Sequence, residues 1–389
     1  MTATPNSKSY INTETRSAYS KLGLLYGKED VTEERKKIRV LSIDGGGIKG
    51  IIPATILVYL EQKLQEFSNN KEARIADYFD LIAGTSTGGI LTCAYLIPDA
   101  NDPSRPKLSA EEALSLYLDD GKYIFSLPFW RKIRTLFGWV DEKYSHRHME
   151  RLLKKHFGSK TRLSQLLKPC LIPAYDIHQN RAVFFNSLNA RDTPERDTKV
   201  WQVARATSAA PTFFEPTVVK LDGGTRLPLV DGGVFANNPA MCAYTEVNKI
   251  DFSKIETGRN VPARSSHEDI LLVSLGTGKI NRRYLVQEMR KRGKIGWAKP
   301  VVDMMMSGSL KTVDHQLKKL FTQTQTQTQT QVKETGTYYR FQMALTEATS
   351  AMDNTSPENL TALHQTALNY INEHSDQLDE VAASLIAEG

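Results

Sequence analysis

Ser86 stands in Gly84-Thr85-Ser86-Thr87-Gly88, the G-x-S-x-G spacing of a nucleophile elbow. A serine hydroxyl projects freely only from a turn too sharp for flanking side chains, and glycine at 84 and 88 permits such a turn. Two further loops carry groups that an attacking serine would use. Asp44-Gly45-Gly46-Gly47-Ile48-Lys49-Gly50 can present convergent backbone N–H groups to an anion. Asp231-Gly232-Gly233 sets a carboxylate ahead of two glycines. The chemistry these three suggest is acyl transfer. The hydroxyl attacks a carbonyl, the carboxylate takes the proton, and amides near Gly46 and Gly47 hold the developing oxyanion. One such donor is worth about 10²–10³ in rate. Each loop also has a plainer reading. G-x-S-x-G occurs in ordinary Gly/Ser loops, Asp-Gly is common in turns, and Lys49 at a helix start is either solvated or a source of positive potential.

Gly45, Gly47 and Gly50 also fit the dinucleotide fingerprint G-x-G-x-x-G. That fingerprint wants an acid about 20 positions on, at the end of a second strand. The corresponding zone, 61–70, continues a helical pattern. A phosphate-binding P-loop fails too, because no glycine precedes Lys49. A nucleotide-binding module therefore stays as the alternative reading, and it makes Ser86 dispensable.

The elements that must position these loops are legible around them. Ile38–Ile43 reads as a strand running into the glycine loop. A helical stripe at 52, 56, 57, 60, 64 and 67 follows, with Pro53 in its first turn. Tyr78–Ala83 is a strand before the elbow, and Gly89–Leu96 a helix after it. Leu227–Val230 is a short strand that delivers Asp231. Each loop thus lies at the carboxyl end of a strand, where open α/β sheets place their sites. Further strands are expected at 170–176, 183–187 and 270–275, the last ending in Gly276-Thr277-Gly278. Helices are expected at 109–119, where Ser109 and Glu112 make a capping box, at 144–157 and at 199–208. Another is expected over 357–386, capped by Ser356 and broken near Ser375. Asn237-Asn238-Pro239 opens one more helix. Phe213 and Phe214 read as core or as the lining of a pocket. Met304-Met305-Met306 reads as adaptable packing.

The chain has 389 residues, 40% hydrophobic and 24% charged, with net charge +6. That is a globular composition with a mild basic excess. It signals no DNA or RNA duplex as partner. No apolar run reaches the length of a spanning helix, and residues 1–37 lack the apolar core of a signal peptide. Cys93, Cys170 and Cys242 are spaced for neither a disulfide framework nor zinc, so no metal or other cofactor is expected and a cytoplasmic location is. The expected organisation is a polar extension at 1–37, a catalytic domain at 38–280 and a basic, helical region at 281–389. Within the last, Thr-Gln repeats over 322–331. Two stretches suit an interface. Residues 125–140 mix Phe125, Phe129, Trp130, Phe137 and Trp139 with Arg131, Lys132 and Arg134. Residues 279–299 hold eight basic residues against Glu288 alone, either as a solvated face or as one that meets anionic lipid or a phosphorylated ligand.

The three loops, in this order and each at a strand end, resemble the patatin-like phospholipase family. Arg205-Ala-Thr-Ser-Ala-Ala-Pro211, Asn237-Asn-Pro239 and Ser274-Leu-Gly-Thr-Gly278 add to the resemblance, which covers about residues 38–280. It implies a three-layer α/β/α fold with a mostly parallel central sheet. It also implies Ser86 as nucleophile and Asp231 as its partner in a dyad without histidine. Oxyanion donors would come from Gly45, Gly46 and Gly47, with Lys49, Gly50, Gly84, Gly88, Gly232 and Gly233 supporting the loops. His267 and His315 are the histidines a conventional triad would have to draw on, and both lie in polar surroundings. The implied substrate is a glycerophospholipid acyl ester met at a membrane surface, with peripheral contact at its inner face. A soluble esterase or thioesterase is the nearest alternative, and a non-catalytic nucleotide- or membrane-binding protein a more distant one. The overall look is similar to phospholipases of anti-phage defence switched on by cyclic oligonucleotides, which implies such a nucleotide as activator. Oligomeric state is left open.

Overall fold

Apolar runs without alternation become the innermost strands, because both their faces are covered. Ile38–Ile43 (β1) and Ile270–Leu275 (β7) are buried at every residue. Around them lie Leu81–Gly84 (β2), Cys170–Asp176 (β3), Arg181–Asn186 (β4), Thr217–Lys220 (β5), Arg226–Asp231 (β6) and Thr337–Phe341 (β8). This computed structural model describes residues 36–125, 145–255, 259–262, 265–279, 284–291, 293–322, 337–346 and 351–389. The aromatic-basic stretch beyond Phe125, the extension over 1–35 and the Thr-Gln repeats beyond Thr322 lie outside the described residues.

The eight strands form one sheet in the order β5-β6-β3-β2-β1-β7-β8, with β4 also on β3. Neighbours from β3 through β8 are parallel. Both β4 and β6 run antiparallel to β3, so the sheet is mixed at this end. Among the described residues the helices of eight or more residues, in chain order, are Ile51–Phe67 (α1), Thr87–Leu96 (α2), Ala110–Leu118 (α3), Ser145–Phe157 (α4), Val200–Thr207 (α5), Ala240–Val247 (α6), Lys294–Thr322 (α7), Pro357–Glu373 (α8) and Ser375–Ala387 (α9). Strand alternation splits the core into two. Leu41 and Ile43 face a cluster shared with α1, α2, α5, α8 and α9, whereas Ile38 and Val40 face one shared with α6 and Leu317 of α7. The result is the expected three-layer α/β/α arrangement.

Local signals act where they stand. Ser109 and Glu112 form their capping box, and Ser356 Oγ accepts from Asn359 N at 3.3 Å. The expected boundary near 280 does not fall at an edge of the fold. Residues beyond it supply β8, registered on β7 from Leu271↔Thr337 to Leu275↔Phe341, and α8 and α9, which share a core with α1. One unit spans Lys36 to Gly389.

Candidate active site

The register of β3 explains how two loops 145 residues apart in sequence can meet. Over Leu171–Asp176 one edge of β3 is taken by β4. The other edge is shared: β2 pairs at Cys170 and Leu171, and β6 pairs at Ala174 to Asp176. Since β2 runs parallel to β3 and β6 antiparallel, their carboxyl ends point at each other across Pro173. Ser86 leaves β2 and Asp231 ends β6 at that gap.

Ser86 has φ 55° and ψ −120°. Positive φ in a residue with a Cβ is strained, at a cost on the order of 1–3 kcal/mol, and such strain must be held by surroundings. The holders are visible. Ser86 N donates to Thr207 Oγ1 at 2.9 Å, and Thr207 Oγ1 donates to Pro173 O at 2.6 Å. Thr85 Oγ1 donates to Ala236 O at 2.6 Å. The glycines fit closely too. A Cβ at Gly84 would come within 2.1 Å of Gly88 O, and one at Gly88 within 2.2 Å of Ile43 O.

Asp231 is 1% exposed and Ser86 5%. Asp231 Oδ1 accepts from Gly233 N at 2.6 Å. Its Oδ2 has no partner of strict hydrogen-bond geometry among the described residues. Burial raises its pKa to about 7, against the lowering effect of the Ser86 hydroxyl and the Gly233 N–H. The Ser86 hydroxyl is thus near enough to the carboxylate to lower its pKa. A carboxylate with such a pKa takes a proton readily at neutral pH.

The glycine loop is fixed from three sides. Gly45 O accepts from Thr277 Oγ1 at 2.7 Å, Gly45 N donates to Asn237 O at 2.9 Å, and Ile48 N donates to Met352 O at 2.9 Å. The loop lies against the elbow, since a Cβ at Gly45 would sit 3.2 Å from Ser86 Cβ. The expectation for Gly45 as an oxyanion donor is corrected here, because its N–H is already spent on Asn237. Gly46 and Gly47 N–H groups have no acceptor among the described residues. Lys49 is buried at 7% exposure rather than solvated. Burial lowers its pKa to about 8, opposed by Asp303 and Asp44. Asp44 itself is fully buried and clamped by Arg340, whose Nη1 donates to Asp44 Oδ1 at 3.0 Å and to Ser274 Oγ at 2.8 Å.

A cavity of about 30 Å³ adjoins Asp231, with Phe213, Met305, Met306 and Met352 also in its wall. Phe213 thus lines the pocket. A larger cavity, about 520 Å³, lies beside β4 and the β5–β6 hairpin and includes none of the predicted site residues. Among the described residues no cluster of His, Cys, Asp and Glu could hold a metal ion.

Four supports carry no role that the sequence alone assigns. Thr207, Asn237 and Thr277 lie in stretches legible only as signatures, and Arg340 lies in a strand without a clear apolar pattern. A charge inside Tyr338-Tyr339-Arg340-Phe341 is the signal available.

The family model for patatin-like phospholipases matches residues 41–244. Patatin-2-Kuras 1 of Solanum tuberosum is 36% identical over 342 residues, 84% of each chain. The chain belongs to the patatin-like phospholipase family. With the family comes its class, the serine hydrolases. Another similar protein, the potato probable inactive patatin-3-Kuras 1, is 34% identical over 368 residues, 90% of this chain and 92% of that one. Family likeness thus leaves catalytic competence to be argued from this chain's own residues. Among solved structures, human GIVD cytosolic phospholipase A2 in complex with methyl gamma-linolenyl fluorophosphonate is 10% identical. Its TM-score is 0.37, with 97% of this chain and 64% of that chain covered.

Proposed function

We propose that this protein is a lipid acyl hydrolase of phospholipase A type, cleaving glycerophospholipid acyl esters through a Ser86–Asp231 dyad. The observation that carries this is the strained, buried Ser86 facing an Asp231 carboxylate whose pKa is raised to about 7. Ser86 Oγ attacks the ester carbonyl carbon while its proton passes to Asp231. The tetrahedral oxyanion is received by the N–H groups of Gly46 and Gly47, which have no other acceptor among the described residues. The intermediate collapses, the lysophospholipid oxygen leaves with the proton from Asp231, and an acyl-Ser86 remains. Water then adds to the acyl carbon, giving its proton to Asp231, and fatty acid departs as Ser86 recovers the proton. The apolar wall of Phe213, Met305, Met306 and Met352 suits an acyl chain.

The test is fatty-acid release from phospholipid vesicles by wild type, Ser86→Ala and Asp231→Asn, each with and without cyclic oligonucleotides. The expected result is release that falls by about 10³ or more in both variants. Release that is unchanged in them overturns the assignment. Dependence on one nucleotide would identify the activator implied by the resemblance. Nucleotide-independent release would set that part aside. Hydrolysis of soluble monomeric esters in preference to vesicles would favour a soluble esterase.

A further inference from the structure

The outer face of α7 reverses the rule for a surface helix. Trp297, Val301, Met304 and Met305 recur at i, i+4, i+7 and i+8 and so form one stripe. They are 38%, 39%, 39% and 53% exposed. The expectation of packing for the three methionines therefore fails at Met304 and Met305. The same stripe continues through Gly308, Thr312, His315 and Lys319, so its apolar character is confined to the first half of the helix. Just before α7, Leu285 and Val286 are 58% and 65% exposed, beside exposed Arg290 and Lys291. Among the described residues the other exposed large apolar side chains are Phe67, Leu368 and, on one face of the antiparallel end of the sheet, Ile177, Phe184 and Val218.

Two observations specify the occupant. Arg290 and Lys291 are exposed next to Leu285 and Val286, and the sequence over 279–299 holds eight basic residues against one acid, which suits a partner both apolar and anionic. A second copy does not fit, because a two-fold contact would set this basic stretch against itself. The patch is also continuous with the catalytic cavity, since Met305 belongs to both the exposed stripe and the wall that holds Asp231. Apolar residues flanked by arginine and lysine match the boundary between headgroups and acyl chains.

We propose that Leu285, Val286 and the first half of α7 dock the protein on an anionic phospholipid bilayer, with Met305 at the junction of bilayer and acyl site. The proposal rests on the phospholipid-hydrolase reading for its choice of surface, but docking itself requires no catalysis.

The test therefore uses the full chain carrying Ser86→Ala, floated with vesicles of phosphatidylcholine alone or mixed with phosphatidylglycerol. The expected result is partition to the mixed vesicles that weakens with salt. Adding Leu285→Ser, Val286→Ser and Trp297→Ser lowers that partition by roughly tenfold or more. The same three substitutions in the chain with Ser86 intact leave hydrolysis of a soluble p-nitrophenyl ester within about twofold and vesicle hydrolysis reduced. Equal partition with and without the three substitutions overturns the proposal, as does no partition of the Ser86→Ala chain to anionic vesicles. A dimer in sedimentation velocity that the substitutions dissolve also overturns it, in favour of a second copy. Partition that obeys the expectation while wild type releases no fatty acid keeps the docking surface and sinks the hydrolase reading alone.

Discussion

In the proposed dyad Asp231 is a base made by burial. Among the described residues no cation contributes to its pKa, so desolvation of the carboxylate dominates and lifts it to about 7. The base works only when ionised. Ester hydrolysis should therefore follow a single rising limb in kcat/KM with an apparent pKa near 7, flat above it and falling tenfold per pH unit below. A flat profile between pH 5 and 8 would mean that another group takes the proton. The same raised pKa has a stability consequence of opposite direction. An aspartate in the unfolded chain titrates at about 3.9, so the folded state holds its proton to higher pH than the unfolded state. Stability is fully present below the unfolded value and is lost as pH rises towards 7. Asp231→Asn should thus melt higher than wild type at pH 8 and about equally at or below pH 4. A tenfold change in proton affinity is worth about 1.4 kcal/mol, which places the gain at pH 8 at a few kcal/mol. Equal melting at pH 8 would show that the carboxylate is solvated after all.

Between elements, the critical contact is Arg340 of β8 on Asp44 at the end of β1. Burial is the largest single influence on Arg340 and pulls its pKa down, but the charge and hydrogen bond of Asp44, joined by Tyr338 and Asp314, together raise it and keep the guanidinium protonated. Arg340→Gln leaves Asp44 fully buried without its cation, a change that typically costs about 3–5 kcal/mol. Urea unfolding should show that loss, and Asp44→Asn added to Arg340→Gln should recover part of it. In kinetics measured well below the unfolding transition, kcat for a soluble ester should fall more than KM rises, because Asp44 anchors the loop that carries Gly46 and Gly47. A pair of single and double variants with additive losses would remove the coupling. The three loops and most of their strands are legible in sequence because glycine spacing and unbroken apolar runs are local signals. Cys170–Asp176 and Ile270–Leu275 fall where composition puts them. Local patterns hide the rest. β5 is a four-residue edge hairpin strand with only Val219 buried. β8 follows a low-complexity tract and carries an arginine whose partner is nearly 300 positions away. α7 holds Pro300 and Gly308 inside it and an apolar stripe on its outer side, so its periodicity does not point to the core. The meeting point of Ser86 and Asp231 in the proposed dyad is equally hidden, because it depends on β2 and β6 sharing one edge of β3.

At the scale of the molecule, the carboxyl-terminal helices belong to the hydrolase fold rather than to a detachable region. Leu378, Val381, Ala382 and Leu385 of α9 are each at most 1% exposed and share the main core with α1. Polar contacts tie the same helix to the start of the sheet. Glu388 Oε2 accepts from Lys37 N at 2.6 Å, and Leu385 O accepts from Arg39 Nη1 at 3.3 Å. Tyr59 of α1 and Tyr339 of β8 donate to Asp379 and Glu380, both at 2.7 Å. Fully burying a leucine or valine contributes about 1.5–3 kcal/mol, and a domain of this kind has only about 5–15 kcal/mol in hand. Removing residues 375–389 uncovers the α1 face and strips β1 of its carboxyl-terminal partners at once. The truncated chain is therefore expected to lose its near-ultraviolet circular dichroism and its cooperative melt, and to elute in the void volume of a sizing column. Full-length melting behaviour in the truncated chain, with ester hydrolysis retained, would instead make residues 375–389 dispensable, with α8, Leu317 of α7 and β8 left to hold the rest of 281–389 to the sheet.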